Sequence, residues 1–179
     1  KPVEVSSDVC VITVEDTRAA MMSCVPYFFD YPANSMRMIG VTGTNGKTTT
    51  SHMIRHILKA QGHKVGVIGT VHIMIGDTTY PIHNTTPDVV DLQHILHQMV
   101  QENVEYCVME VSSHALALGR VSGVEFDTAV FTNLTQDHLD FHKTFENYLA
   151  AKCKLFEQVS AANQEKDNKG AVINIDDSY

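Results

Sequence analysis

MIGVTGTNGKTT, residues Met38–Thr49, is the stretch that decides the fold expected for this chain. It joins an apolar strand to a glycine-rich turn, and a helical pattern follows through Met53, Ile54, Ile57 and Leu58. Small residues let successive backbone N–H groups point at one anion, and a helix N-terminus adds the positive end of its dipole. The layout therefore predicts a phosphate-binding loop between a strand and a helix.

Within this loop, Lys47 can reach the β- and γ-phosphates of a nucleotide, and the Thr48 hydroxyl can ligate Mg²⁺. The strict pattern G-x-x-x-x-G-K-[ST] requires glycine at position 41, where this chain has Val41. A solvated turn between strand and helix is the alternative interpretation. We prefer nucleotide binding, with this expected binding set: Gly43, Thr44, Asn45, Gly46, Lys47, Thr48 and Thr49.

Composition limits the classes of protein to consider. The 179 residues suit one domain, or one domain with part of another, and 44% are hydrophobic. A net charge of −8 argues against a nucleic-acid partner or an anionic membrane surface. The four cysteines show no C-x-x-C spacing, which favours a reduced, cytoplasmic setting. No apolar run approaches the ~20 residues that span a membrane, no signal peptide opens the chain, and we expect a monomer.

Strand and helix patterns alternate from residue 36 onward. Strands are predicted at 64–69, 105–111, 128–131 and 171–175, a hairpin at 71–75 and 78–82, and helices at 88–102, 114–118 and 145–159. Such alternation predicts an α/β fold, a mostly parallel sheet with helices on both faces, and ligands at the carboxyl ends of its strands.

The first 36 residues hold too few elements to bury a core independently. Val9–Val14 reads as a short strand, and Asp16 or Thr17 as the cap of a short helix that the Pro26–Pro32 segment should end. Residues 33–35 read as a linker, and the polar stretch 164–169 as an exposed loop.

One further strand end and one loop carry polar residues of interest. Glu110 ends an apolar run, where its carboxylate could hold Mg²⁺ directly or through water, or simply face solvent. Between Asn84 and the next helix, Thr86 can act as the helix cap with Pro87 at the first helical position.

The histidine spacing is weaker evidence for a metal site than Glu110 and Thr48 are. His138 and His142 are four residues apart, so a zinc pair is conceivable, but no third ligand has a suitable spacing. We prefer a role for one of them in an Mg²⁺ shell or in orienting phosphates. His94 and His97 fit a polar helix face.

Lys152 falls on the apolar stripe of its helix, with Tyr148, Leu149, Leu155 and Phe156. A lysine that faces a core must be paired, deprotonated or modified. The alternative is a side chain that extends along its stem to reach water.

Five segments taken together resemble the Mur ligase family, ATP-dependent enzymes that extend the peptide of the bacterial cell-wall precursor. They are TGTNGKTT (42–49), NTTP (84–87), MEVSSHAL (109–116), TNLTQDHLDFH (132–142) and YLAAKCKLF (148–156). Their order and spacing are similar to the members that add the third amino acid, the tripeptide synthetases (MurE type). The resemblance also accounts for Val41, because the loop of this family is built around TGTNGKT.

The resemblance implies an acid–amino-acid ligase that phosphorylates the D-Glu carboxylate of UDP-MurNAc-L-Ala-D-Glu with ATP and Mg²⁺. An amino-acid amine then attacks the acyl phosphate. It implies catalytic roles for Lys47, His138 and Lys152. A metal shell of Thr48, Glu110, His138 and Lys152 is implied, with Lys152 carbamylated. Implied substrate contacts are Thr85, Thr86, Ser112 and Arg120.

By the same comparison, residues 1–36 correspond to the end of an N-terminal uridine-nucleotide-binding domain. Residues 37–179 correspond to the first part of the central ATP-binding domain, and the C-terminal ligase domain lies outside this sequence. Folylpolyglutamate synthases share the fold, but their loop typically ends Gly-Lys-Gly-Ser. A non-catalytic nucleotide-binding module is a third interpretation, and it leaves Lys152 unexplained.

Overall fold

The computed structural model describes residues 5–82, 84–161 and 168–177. Its strands are β1 Arg37–Thr42, β2 Val65–Ile68, β3 Ile73–Ile75, β4 Thr78–Tyr80, β5 Tyr106–Glu110, β6 Thr128–Phe131 and β7 Gly170–Ile173. Its helices are α1 Thr17–Phe28, α2 Lys47–Ala60, α3 Val89–Gln101, α4 Ser113–Ala117, α5 Leu139–His142 and α6 Phe145–Ala161, with a 3₁₀ turn at Pro32–Ser35.

In the part of the chain that the structure describes, seven strands form one sheet in the order β4-β3-β2-β5-β1-β6-β7. Strands β2, β5, β1, β6 and β7 are parallel, and the β3–β4 hairpin adds two antiparallel strands at one edge. This confirms the predicted mostly parallel sheet. Because β1 lies between β5 and β6, the loop after β1 is flanked by the ends of both.

The two faces of the sheet are covered by different helices. On one face, Ile54 and Leu58 of α2 pack against Val41, Val65 and Val108. On the other face, α3 and α6 contribute to a larger core whose buried members include Met38, Leu92, Leu96, Met99 and Leu155. Consecutive residues of β1 alternate between these cores, as the period of two in a strand requires.

The N-terminal segment departs from the sequence-based expectation. The predicted strand at Val9–Val14 is wrong, since these residues form no regular structure and are exposed. The predicted cap is confirmed: Asp16 accepts hydrogen bonds from the backbone N–H groups of Arg18 and Ala19. The helix ends at Phe28, within the Pro26–Pro32 segment that was predicted to end it, and residues 32–35 form the 3₁₀ turn where a linker was predicted.

Thr86 and Pro87 also differ from expectation. Helix α3 begins at Val89 with Asp88 at the N-cap position, so Pro87 precedes the helix and Thr86 does not cap it. Residues 164–167 of the predicted exposed loop lie outside the described residues, and Asn168 and Lys169 belong to no helix or strand. None of the described helices is long and apolar enough to cross a membrane.

Candidate functional site

The loop of residues 43–46 leaves the carboxyl end of β1 and leads directly into α2. Gly43 has φ of +144° and Gly46 has φ of +83°, both unfavourable for other residues. A Cβ at position 43 would also collide with the Thr132 hydroxyl. Val41 lies inside β1 and is fully buried, so the glycine of the strict pattern has no turn to make there.

Residues that follow β6 hold the loop in place. The Asn133 side-chain oxygen accepts a hydrogen bond from the N–H of Asn45 at 2.9 Å, and its backbone carbonyl accepts one from the N–H of Thr44 at 2.8 Å. Thr132 donates to the carbonyl of Asn45 at 2.7 Å. The N–H groups of Thr44 and Asn45 are thus occupied, so the amides of the first turn of α2 remain the donors suited to an anion.

Lys47 lies at the start of α2 and curls back over the loop. Its ammonium donates hydrogen bonds to the carbonyls of Gly43 at 3.0 Å and Thr44 at 2.9 Å. Partial burial lowers the pKa of Lys47, and the charges of Glu110 and Asp137 act in the opposite direction. The cation is therefore positioned at the loop that the sequence predicts to bind phosphate.

Thr48 and Glu110 meet beside the loop. The Thr48 hydroxyl donates to Glu110 Oε2 at 3.0 Å, and the carboxylate is 1% exposed. Glu110 also accepts from the backbone N–H and the hydroxyl of Thr70, both at 3.0 Å. A hydroxyl and a carboxylate are the hard oxygen donors that Mg²⁺ prefers, so these residues fit the ion implied by the resemblance. The alternative of a solvated Glu110 is wrong.

Lys152 reaches the same loop from α6. The residue is 2% exposed, and its ammonium donates to the Gly43 carbonyl at 2.8 Å, so the alternative of a side chain that reaches water is wrong. Burial, together with the nearby Lys47 charge, lowers the pKa of Lys152 to about 7. Both lysines donate to one carbonyl, an arrangement that disfavours two ammonium ions together.

Tyr148 connects α6 to the loop, a role that the sequence did not reveal. Its ring is 1% exposed and lies beneath the Lys152 ammonium, which is 4.4 Å from the ring centroid. Its hydroxyl is 3.1 Å from the Thr44 hydroxyl. The spacing of four residues between Tyr148 and Lys152 was the available signal, because such residues share one helix face.

The four predicted substrate residues form one chain of contacts at the end of β5. The buried Thr86 hydroxyl donates to the Glu110 carbonyl at 2.9 Å and accepts from the Ser112 N–H at 3.1 Å. Arg120 donates to the Thr86 carbonyl at 3.3 Å and forms an ion pair with Asp88 at 2.9 Å. Thr85 lies 3.2 Å from the Thr70 hydroxyl, which in turn contacts Glu110.

The Ser112 hydroxyl also caps α4, where it accepts a hydrogen bond from the N–H of Ala115. Thr86 and Ser112 therefore have structural partners of their own. Thr86 is buried and Ser112 caps a helix, whereas the side chains of Thr85 and Arg120 are partly exposed and do neither.

His138 is a predicted metal-shell residue that forms no hydrogen bond with Thr48 or Glu110, the two residues suited to Mg²⁺, in the part of the chain that the structure describes. It occupies a left-handed position before α5, and its ring lies 4.8 Å from that of His114 and 6.2 Å from that of Tyr148.

His142 is buried and bonds to the Ser113 hydroxyl at 2.9 Å. Burial lowers the pKa of His142 and of His114. No group of three His, Cys, Asp or Glu suited to a metal occurs in the described ranges, so the zinc interpretation gains no third ligand. His94 and His97, predicted for a polar helix face, lie on α3 beside the ring of Phe29, and His94 is exposed.

Fold and loop together define an α/β protein with a glycine-rich strand-to-helix loop at the carboxyl end of β1, the middle one of the five parallel strands. The model of the Mur ligase middle domain matches residues 41–179. The chain belongs to the Mur ligase family.

Two relatives carry the name UDP-N-acetylmuramoyl-L-alanyl-D-glutamate–2,6-diaminopimelate ligase. The protein from Bacillus cereus is 50% identical over 178 residues, which cover 99% of this chain and 36% of the relative. The protein from Geobacillus kaustophilus is 53% identical over 172 residues, which cover 96% of this chain and 35% of the relative. The chain thus spans about a third of the length of these relatives.

Solved structures agree on the fold. A structure with the same ligase name matches with a TM-score of 0.69 and 39% identity, covering 80% of this chain and 27% of that protein. A folylpolyglutamate synthase from Mycobacterium tuberculosis complexed with ADP matches with a TM-score of 0.65 and 16% identity, covering 88% of this chain and 41% of that protein. The second likeness is evidence for a shared fold alone.

Proposed function

We propose that this chain supplies the ATP-binding part of a ligase that joins an amino acid to UDP-MurNAc-L-Ala-D-Glu in peptidoglycan precursor synthesis. The carrying observation is the Thr48–Glu110 hydrogen bond beside Lys47, where a strand-loop-helix unit gathers a cation, a hydroxyl and a buried carboxylate. The names and identities of the relatives support the substrate and favour 2,6-diaminopimelate as the amino acid added.

In the proposed reaction, the γ-phosphoryl group of ATP passes to the D-Glu carboxylate and ADP is released. The amine of the incoming amino acid then attacks the acyl carbon, and phosphate leaves. Phosphoryl transfer needs positioning and charge neutralisation more than covalent participation. Lys47 would offset the repulsion between the two anions, and the amides of Gly46–Thr49 would orient the phosphates.

Thr48 and Glu110 would hold Mg²⁺, which neutralises charge on the phosphates when bound. We include His138 as a further ligand or phosphate-orienting group, in line with the resemblance. Thr85, Thr86, Ser112 and Arg120 would bind the uridine-linked dipeptide, the first and last through their side chains. Thr86 and Ser112 would act mainly by shaping the loop, given their internal hydrogen bonds.

We also propose that Lys152 is carbamylated in the working enzyme. Its amine would attack CO₂ and lose a proton, which converts a buried cation into a carbamate anion. Burial and the nearness of Lys47 favour the neutral amine that this step requires. The carbamate would supply two oxygens to the magnesium shell.

The proposal also covers the domain organisation, the cellular location and the oligomeric state. Residues 1–36 would be the end of a uridine-nucleotide-binding domain and 37–179 the first part of the central domain. A C-terminal domain outside this sequence would carry amino-acid specificity. We propose a cytoplasmic monomer.

The deciding experiment uses the full-length enzyme with Lys47→Ala. We expect loss of ATP-dependent product formation, because the charge that faces the phosphates is removed. Lys154→Ala is the matched control, since Lys154 is exposed on α6. Unchanged turnover in Lys47→Ala would contradict the proposed function.

A second experiment tests the modification. Lys152→Ala should be nearly inactive, and a short carboxylic acid in the buffer should partly restore turnover by replacing the carbamate. ¹³C-labelled CO₂ should give a carbamate NMR signal in the wild type alone. Full activity in Lys152→Ala would exclude this role.

A further inference from the structure

A cavity of about 340 Å³ lies between the start of α1 and the turn that carries Arg120. Arg18, Met21 and Met22 line it from α1, and Asp88 and Arg120 line it from the opposite side. Its volume falls at the lower end of the range of small-molecule sites, and its lining combines apolar side chains with a few charged residues, as in such sites.

Close packing fixes α1 relative to this turn. Gly119 has φ of +68°, and a Cβ there would approach Met22 Sδ to 2.5 Å. Gly123 has φ of +75°, and a Cβ there would collide with Pro26. Glycine at both positions lets α1 lie directly on the turn, so the separation of Arg18 from Arg120 is set by the fold.

The charges that face the cavity favour an anion. Arg120 is ion-paired with Asp88, whose side chain is 59% exposed. The backbone N–H of Arg18 bonds to Asp16, but its guanidinium forms no ion pair within the described residues. Two arginines and one aspartate thus line the cavity, in a chain whose net charge is −8.

The cavity also continues the proposed substrate site. Arg120 donates to the carbonyl of Thr86, whose hydroxyl contacts Ser112 and the end of β5. A series of neighbouring residues therefore leads away from the glycine-rich loop to the cavity. It runs through Glu110, Thr86, Arg120 and Arg18 in that order. A substrate whose reacting carboxylate lies near the loop would extend towards Arg18.

We infer that Arg18 binds an anionic group of the uridine-linked substrate, either its diphosphate or a dipeptide carboxylate. Guanidinium groups recognise both through paired N–H donors. The inference rests on the proposed function, and it adds a substrate contact from the segment that precedes β1.

The test is calorimetric titration of the full-length protein with UDP-MurNAc-L-Ala-D-Glu and, separately, with ADP. Arg18→Ala should weaken binding of the uridine substrate about tenfold, as expected for one exposed charge-assisted hydrogen bond. Arg18→Lys should retain only part of the affinity, because it keeps the positive charge but loses the paired N–H donors. ADP affinity should be unchanged, and Lys154→Ala should leave both affinities unchanged.

The outcomes separate the inference from the function on which it rests. If the wild type binds no uridine substrate, the proposed function fails. If the wild type binds it and Arg120→Ala weakens binding while Arg18→Ala does not, the inference alone is overturned.

A titration with UDP-MurNAc that lacks the peptide identifies the group bound. An Arg18→Ala effect that persists with this ligand assigns the diphosphate. An effect that appears only with the dipeptide present assigns a carboxylate.

Discussion

Lys152 shows how burial changes the chemistry of a single residue. Its amine lies 2.8 Å from the Gly43 carbonyl and over the Tyr148 ring, with almost no exposure to water. Desolvation disfavours the charged form, which lowers the pKa to about 7. The residue is thus close to the balance between ammonium and amine at neutral pH.

We predict that this burial makes stability depend on pH. Between pH 7 and the unfolded pKa of 10.5, the unfolded chain binds more protons at this site, so wild-type stability rises with pH. Titration of this one group can change the free energy of unfolding by no more than about 1.4 kcal/mol per pH unit. Lys152→Met should exceed the wild type in Tm at pH 6, by a margin that narrows towards pH 10. The measurement is thermal unfolding in CO₂-free buffers, and a margin independent of pH would contradict this prediction.

Tyr148 offers a second prediction at the same scale. Tyr148→Phe removes the hydroxyl that lies 3.1 Å from Thr44 Oγ1 and keeps the ring under Lys152. Loss of one neutral hydrogen bond, worth about 1 kcal/mol, should loosen the loop and raise the Kd for ADP roughly fivefold. Tyr27→Phe is the control, because Tyr27 is 75% exposed on α1. Equal Kd values in the two variants would show that the hydroxyl does not hold the loop.

At the scale of elements, strand β1 is held at both ends by its neighbours. At its carboxyl end, residues after β6 bind the loop through Asn133. At its amino end, the buried Asp127 accepts hydrogen bonds from the Met38 N–H at 2.7 Å and from Arg37 at 2.8 Å. Strand β1, which leads into the glycine-rich loop, is therefore fixed by hydrogen bonds at both its amino and its carboxyl end.

We predict that Asp127→Ala lowers stability by roughly 1–3 kcal/mol, because it leaves the buried Met38 N–H unsatisfied. ADP affinity should change little, since Asp127 lies at the end of the sheet away from the loop. Asp127→Asn keeps an acceptor and should cost less. Denaturant unfolding and ADP titration of the three proteins make the comparison. A loss of ADP affinity larger than the loss of stability would place Asp127 in the binding site instead.

At the scale of the whole molecule, the proposed function requires more than this chain. An acyl phosphate must be kept from water until the amine attacks, which in closing enzymes is the task of a moving domain. We predict that the 179-residue chain alone forms no peptide product from ATP, UDP-MurNAc-L-Ala-D-Glu and diaminopimelate, whereas the full-length enzyme does. Chromatographic assay of both proteins at equal concentration makes the comparison, and product from the chain alone would refute the prediction.

Local chemistry explains what could be predicted. The alternation of apolar strands and amphipathic helices predicts a mostly parallel sheet. The strand-to-helix turn at Gly43–Thr48 can be recognised from adjacent residues in the sequence alone. Lys152 could be placed on a buried stripe because helix periodicity depends on spacing alone. The error at Val9–Val14 lies where the pattern was short. A few apolar residues do not make a strand without a neighbour to pair with.

The sequence by itself thus determined the fold class, the loop and the identity of the residues near it. Tertiary structure alone decided which of them meet. Thr44 and Tyr148 are separated by 104 positions in the chain and Thr48 and Glu110 by 62, so no local spacing can pair them. Thr86 was expected to cap a helix and instead binds the end of β5. Such contacts depend on the order of strands in the sheet, which the packing of the whole chain determines.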